Sequence, residues 1–304
     1  MKNFTAIVCL MALLVVFAMS TSCTIAQNKV AVISLSGPIQ MESSYGLFFG
    51  GSVITPESVR TELERARNDV SVKAIVIQVD SPGGSVAASQ EIVNLLEQVK
   101  KPIVVSMGDL AASGGYYISA GADKIVALPG TLTGSIGVIS EIPNLKGLFD
   151  KLGIDMQVFI AGKHKDMYAG LRDLTPEEKV IMQDMTDQLY DQFIKVVARG
   201  RGISEDRVRE LATGQLYTGI QAKELGLVDE LGGLQTAIDS AASLADISTP
   251  EVEYYKPQAP SLLNSLLGMG WQKLSSLIQP TSLSAEDIIL LETLTSPYPQ
   301  PEYR

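Results

Sequence analysis

The chain has 304 residues, a formal net charge of −10 and 46% hydrophobic residues, enough to bury a sizeable core in one large domain or two small ones. An acidic chain without a cluster of Lys and Arg lacks the cationic face that phosphate neutralisation requires, which argues against nucleic acid as a partner. Both cysteines, Cys9 and Cys23, fall in the first 23 residues, so nothing downstream can form an intrachain disulfide or a thiolate metal site.

Lys2 precedes an uncharged apolar run from Ile7 to Met19, and the next charge is Lys29. Such a run is short for a spanning helix, which needs about 20 residues, and suits a signal-peptide core. Residues 1–27 are therefore expected to be a signal peptide or a retained N-terminal membrane anchor. Lipidation of Cys23 is a third outcome, disfavoured by the polar Ser20-Thr21-Ser22 before it. Each of these outcomes puts the remainder outside the cytoplasm, anchored to a membrane or secreted. The alternative, a buried N-terminal core helix, is opposed by the polar residues Ser20–Thr24 and Gln27–Lys29 that separate the run from the first strand.

Asn28 to Leu35 alternates as a strand and is ended by Gly37-Pro38. The loop from Gln40 to Val53 is rich in aromatic residues and glycine, and Thr55-Pro56 then caps a helix to about Arg67. Ala74–Val79 is a continuous apolar strand of the kind buried inside a parallel sheet. It runs into the turn Asp80-Ser-Pro-Gly-Gly-Ser85 and a helix with Ile92, Val93, Leu95, Leu96 and Val99 on its inner face. Pro102–Val105 repeats the strand, Ser113-Gly-Gly repeats the turn, and Tyr116 onward repeats the helix. Lys124–Ala127 is a further strand, and Asp155–Ile160 ends the alternation. Strands and helices at this interval predict an α/β fold of layered crossover units.

From Thr175 the pattern becomes helical. Thr175-Pro-Glu-Glu178 joins an N-cap, a proline at the first helical position and a capping-box glutamate, opening a helix to about Arg199. Shorter helices are expected at Ser204–Ala212, Ile220–Leu225 and Leu234–Leu244. The composition shifts after Ala245, where Pro250, Pro257 and Pro260 bracket a linker. The expected organisation is thus a leader (1–27), a catalytic domain (28–245) and a C-terminal extension (246–304). Within the extension, 261–278 reads as an amphipathic helix and Ser296–Pro301 as a tail without regular structure.

Ser113 lies between two alanines and two glycines at a strand-to-helix turn, where small neighbours let a substrate backbone come close. A serine hydroxyl needs a base to take its proton. The single histidine, His164, and the lysines in Gly162-Lys-His-Lys165 all qualify, a lysine provided it is neutral when it acts. If that stretch is extended, Lys163 and Lys165 share one face, and His164 and Asp166 share the other. The residues alone leave Lys165, Lys163 and His164 open.

Four motifs in order, Asp80-Ser-Pro-Gly-Gly-Ser-Val86, Asp109-Leu-Ala-Ala-Ser-Gly-Gly-Tyr-Tyr117, Leu132-Thr-Gly-Ser-Ile-Gly-Val138 and Tyr217-Thr-Gly with Ala222–Glu230, resemble the signal peptide peptidase A family. The resemblance covers about Lys29 to Leu244. It implies an α/β fold of the Clp protease and crotonase type, a spiral of repeated β-β-α units with a helical C-terminal part. It also implies a Ser-Lys dyad, with Ser113 as nucleophile, Lys165 as general base from Gly-x-x-Lys, and Ser135 orienting the lysine. By the same resemblance the oxyanion hole is made of backbone N–H groups of Gly84 and Gly114, with Gly83 as a further candidate. No metal or cofactor is implied. The expected substrates are short apolar peptides such as cleaved signal peptides, met at a lipid membrane. One copy is expected to supply both Ser113 and Lys165, and the expected assembly is a ring- or bowl-shaped homo-oligomer in which subunit contacts can complete the sites. Asp166–Arg172 departs from the family's usual sequence after the lysine. The rival readings are a crotonase-type enzyme acting on an acyl thioester and a non-catalytic membrane scaffold.

Overall fold

Strands that are apolar at nearly every position need cover on both faces, and the sheet has it. In a computed structural model the described residues are 28–42, 52–255 and, for the backbone alone, 302–303. The leader, most of the aromatic loop, the amphipathic stretch 261–278 and the tail 296–301 lie outside them.

The central strands are β1 (Lys29–Ser36), β2 (Val72–Ser81) and β4 (Ile103–Ala112). One set of their side chains, among them Ile33, Leu35, Ile75, Ile77, Val79 and Val105, packs with Tyr116, Tyr117 and Phe193. The alternate set, Val30, Val32, Ala74, Val76 and Val104, packs with Ala237, Ile238 and Ala241. The second group belongs to helix α8 (Leu234–Leu244), which covers that face.

Along the sheet the order is β7 (Leu216–Thr218), β6 (Leu132–Gly134), β4, β2, β1 and β9 (Glu251–Tyr255). All neighbours are parallel except β6 and β7. Strand β4 changes partner along its length. Val104–Met107 pair with β5 (Lys124–Ala127), which also pairs β8 (Glu230–Leu231), whereas Leu110–Ala112 pair with β6. A separate pair joins β3 (Gly84–Ser85) to β10 (Glu302–Tyr303), antiparallel.

The helices begin where their caps require. Thr55 caps α1 (Pro56–Asn68) with a reciprocal bond to Ser58, and Ser85 caps α2 (Val86–Glu97). Helix α3 (Gly114–Ser119) follows Ser113 directly, and α4 (Lys146–Leu152) is short with no buried residue. Helix α5 (Pro176–Arg201) has the expected capping box between Thr175 and Glu178. It buries Phe193, Ile194 and Val197, and Phe193 meets the Tyr117 ring edge-on at 5.0 Å. Helices α6 (Glu205–Leu211) and α7 (Gly219–Glu224) complete the region.

Two expectations are corrected. Asp155–Ile160, read as the last strand of the alternation, has no regular structure and pairs with no strand among the described residues, and residues 151–160 are all exposed. The stretch read as a linker after Ala245 contains β9, which pairs Lys29–Ile33 in parallel, so the sheet continues past residue 245. Charge and ring contacts tie this strand down: Glu253 bonds Lys29 (3.0 Å) and Arg65 (3.1 Å), and the Arg65 guanidinium lies 4.0 Å from the centre of the buried Tyr255 ring.

Tyr255→Ala removes a fully buried ring and should cost about 3 kcal/mol of unfolding free energy, measured by denaturant titration. A neutral substitution would restore the reading of this stretch as linker.

Candidate functional site

Strand β4 ends in two buried alanines, Ala111 and Ala112, and the chain turns at Ser113 with φ 55° and ψ −120° before starting α3. A positive φ at a non-glycine residue costs on the order of 1–3 kcal/mol and persists only where surroundings impose it. Here the surroundings are backbone. The Ser113 N–H donates to the Gly134 carbonyl (2.8 Å). A Cβ on Gly114 would lie 2.7 Å from Ser89 Oγ, 3.2 Å from Gly83 Cα and 3.2 Å from Gly84 N. The serine elbow and the Ser81–Gly84 turn therefore press together with no room for a side chain at Gly114.

Ser113 is fully buried, and among the described residues its Oγ has no hydrogen-bond partner. Buried hydroxyls are nearly always paired, so an orphaned one on a strained backbone marks a group held for another purpose.

The two candidate glycines of the adjacent turn differ. The Gly83 N–H is already donated to Ser81 Oγ (3.1 Å). Around Gly84, the Ile39 N–H donates to the Gly83 carbonyl and the Ser85 N–H donates to the Ile39 carbonyl, each at 2.8 Å. Alternation along a strand then points the N–H of Gly84 itself to the opposite edge. Its φ of 146° and the Ile39 carbonyl, 2.2 Å from where a Cβ would sit, restrict this position to glycine. Ser89 Oγ braces the turn from α2 by donating to the Ser85 carbonyl (3.0 Å).

Ser135 follows Gly134, the residue paired with Ala112, and so stands beside Ser113. It is buried, with φ 48°, and its N–H donates to the Gln215 carbonyl (2.9 Å). Thr133 Oγ1 clasps the two strands by donating to the Ala111 carbonyl (2.6 Å). Burial pushes the Tyr117 phenol up to about 12 and raises Tyr116 as well, so both stay protonated packing groups. Tyr116 Oη donates to the Leu227 carbonyl (2.9 Å).

The structure thus brings Ser113, Gly83, Gly84, Gly114 and Ser135 together. The segment carrying the candidate bases is elsewhere in character. Residues 161–170 form successive turns rather than an extended strand, through Lys165 N–H to Gly162, Met167 N–H to His164 and Ala169 N–H to Asp166. The face-sharing expected of an extended stretch therefore does not apply. Lys163 is ion-paired with Glu177. The His164 ring nitrogens face Glu178 (3.3 Å) and Glu177 (3.5 Å). Lys165 is exposed. None of the three is hydrogen-bonded to Ser113 Oγ within the chain.

Ser81 and Thr133 lie within the motifs, where the resemblance gives them no role, and Ser89 carries no signal at all, because an isolated hydroxyl residue on a helix gives none. The same holds for the cluster formed by Asp166, Arg172 and Glu178, whose members are brought together only by folding.

The profile of peptidase family S49 matches residues 96–248, and that of Clp protease matches 54–133, the stretch from the approach to α1 through β6. The fold is Clp protease-like. A putative signal peptide peptidase SppA of Enterococcus faecium is 37% identical over 255 residues, covering 82% of this chain and 74% of that protein. A putative protease of Synechocystis is 41% identical over 213 residues, covering 69% and 77% respectively. Protease 4 of Haemophilus influenzae is 35% identical over 253 residues, 79% of this chain but only 40% of the relative.

Hydrogen bonds from Arg172 hold the Asp166 and Glu178 carboxyls below the usual carboxylate range, and the Lys163 bond does the same for Glu177. A carboxyl lowered in the folded state stabilises the fold above its ordinary range and loses that contribution as pH falls through the lowered value. Loop 161–172, held by Arg172, Lys163, His164 and Thr175 contacts, should therefore lose hydrogen-exchange protection below about pH 4, ahead of the sheet. Glu178→Gln should bring that loss to neutral pH.

Proposed function

Because the chain belongs to peptidase family S49, and is by that membership a serine-type peptidase, we propose that it is a membrane-associated endopeptidase using Ser113 as nucleophile and Lys165 as general base. The observation that carries the reading is the fully buried, unpartnered Oγ of Ser113 on a strained backbone. In the proposed reaction neutral Lys165 takes the hydroxyl proton as Oγ attacks the peptide carbonyl carbon. The oxyanion of the tetrahedral intermediate accepts hydrogen bonds from the Gly84 and Gly114 N–H groups, donors of a kind worth on the order of 3 kcal/mol of barrier each. Collapse breaks the C–N bond, and the lysine proton passes to the leaving amine. Water, activated by the same amine, then hydrolyses the acyl-enzyme. Ser135 orients the ammonium. Gly83 is left out because its N–H is bonded to Ser81.

A peptide fits this edge. Residues 302–303 lie antiparallel to Gly84–Ser85, on the side to which the Gly84 N–H points, so extended backbone is accommodated there. The substrates are short apolar peptides such as cleaved signal peptides, a reading supported by the name of the Enterococcus relative. Placement on the extracytoplasmic face of a membrane rests on the apolar leader; among the described residues no helix is long and apolar enough to span one.

The working form is a homo-oligomer in which Lys165 reaches the serine of a neighbouring copy. Lys165 is exposed, and the segment before it presents Ile154, Met156, Val158, Phe159 and Ile160 to solvent, Phe159 at 92%. An apolar stretch of that kind is suited to burial against a second copy. The site of its anchoring supports the same arrangement. Glu178 and Phe193 are separated by about 22 Å along α5 at the helical rise, and Phe193 touches Tyr117 on the helix that follows Ser113.

Ser113→Ala and Lys165→Ala should each abolish cleavage of an apolar peptide library read by mass spectrometry, while co-assembly of the two variants restores part of it. Retained activity in Ser113→Ala would overturn the reading. No recovery on mixing would put both groups in one chain. An amine base acts only when uncharged, so cleavage should rise with pH into the alkaline range, and a flat profile counts against Lys165.

A further inference from the structure

We propose that Arg172 and Glu178 form a clamp that positions Lys165 for proton transfer, an inference that rests on the dyad reading above. Each immediate neighbour of Lys165 is tied to the same buried carboxylate. His164 Nδ1 lies 3.3 Å from Glu178 Oε1. Asp166 accepts both Nε and an NH2 hydrogen of Arg172, each at 2.7 Å, and the same guanidinium donates to the two oxygens of Glu178 at 2.8 and 2.7 Å. Arg172 thus bridges two carboxylates with its planar fork, an arrangement a lysine cannot reproduce.

Glu178 is itself fixed. Its side chain is 1% exposed, and it accepts the Thr175 N–H (2.9 Å) as the capping-box residue of α5. That helix is the longest among the described residues and reaches the nucleophile's helix through Phe193 and Tyr117. The backbone of Lys165 is consequently fastened to the start of a rigid helix, while the residue itself stays exposed for a neighbouring copy to meet. Turns 161–170 have no strand or helix of their own to stiffen them, so the clamp supplies the placement that proton transfer needs.

The test uses the assembled, full-length protein, with Arg172→Lys, Glu178→Gln and Asp166→Asn compared with wild type and Lys165→Ala in steady-state peptide cleavage. Asp166→Asn unhooks the loop without touching the α5 cap, so it stays informative should a Glu178 variant fail to fold. Misplacement of a catalytic group by about 1 Å can cost about 100-fold in rate, so kcat should fall roughly 10- to 100-fold with KM little changed. Guanidinium added to Arg172→Ala should restore part of that kcat. Wild-type kcat in the three clamp variants, with Lys165→Ala inactive, would overturn the clamp alone. A kcat loss that appears only together with lost assembly or folding, or a change confined to KM, would also overturn it. Activity in Lys165→Ala would overturn the dyad reading, and the clamp with it.

Discussion

The contact on which the rest depends is one of backbone against backbone. Between the serine elbow and the Ser81–Gly84 turn a Cβ at Gly114 would lie 3.2 Å from both Gly83 Cα and Gly84 N, and that closeness sets the elbow that carries Ser113 against the glycine turn. Side-chain packing could not deliver it, because any side chain would hold the two turns apart. The sheet exists to press them together. Strands β2 and β4 are adjacent and parallel, so the turns that follow them emerge side by side at one edge, where open α/β sheets place their ligands. Buried layers on both faces then keep those strands in register.

The two halves of the proposed chemistry are held by different physics. The proposed nucleophile sits in a buried, small-residue setting where the backbone of Ser113 and Ser135 is fixed by bonds to Gly134 and Gln215. The segment bearing Lys165 is fastened by ionic hydrogen bonds at the surface end of a helix. Ionic fastening is directional and tolerates exposure, which suits a segment bordered by the apolar stretch before it. It is also the half that acid weakens, since its carboxylates must stay ionised to accept from Arg172 and Lys163.

Much of the sheet was legible in the sequence because burial on both faces leaves continuous apolar runs, and the caps at Thr55 and Thr175 announce their helices. The site was legible where its residues are contiguous, as in the serine elbow and the glycine turn. Strand β9 escaped because Glu251-Val-Glu-Tyr-Tyr255 is short and follows a proline, and its pairing partner lies more than two hundred positions earlier in the chain. Asp155–Ile160 looked like a strand because strand-like composition does not say whether a partner edge exists. The Arg172 clamp was invisible for a third reason. Charged residues scattered over a turn and a helix start read as a solvated surface until folding brings them around one carboxylate.

Strand β4 gives up one neighbour and takes another at Gly108–Asp109, so the sheet forks there. Before the fork the strand is wedged between β2 and β5; beyond it, the strand is held by β6 and the Thr133 clasp on one side and by Ser81 of β2 on the other. The hydroxyl can accordingly be re-aimed by changes beyond the fork that leave the pairing before it untouched.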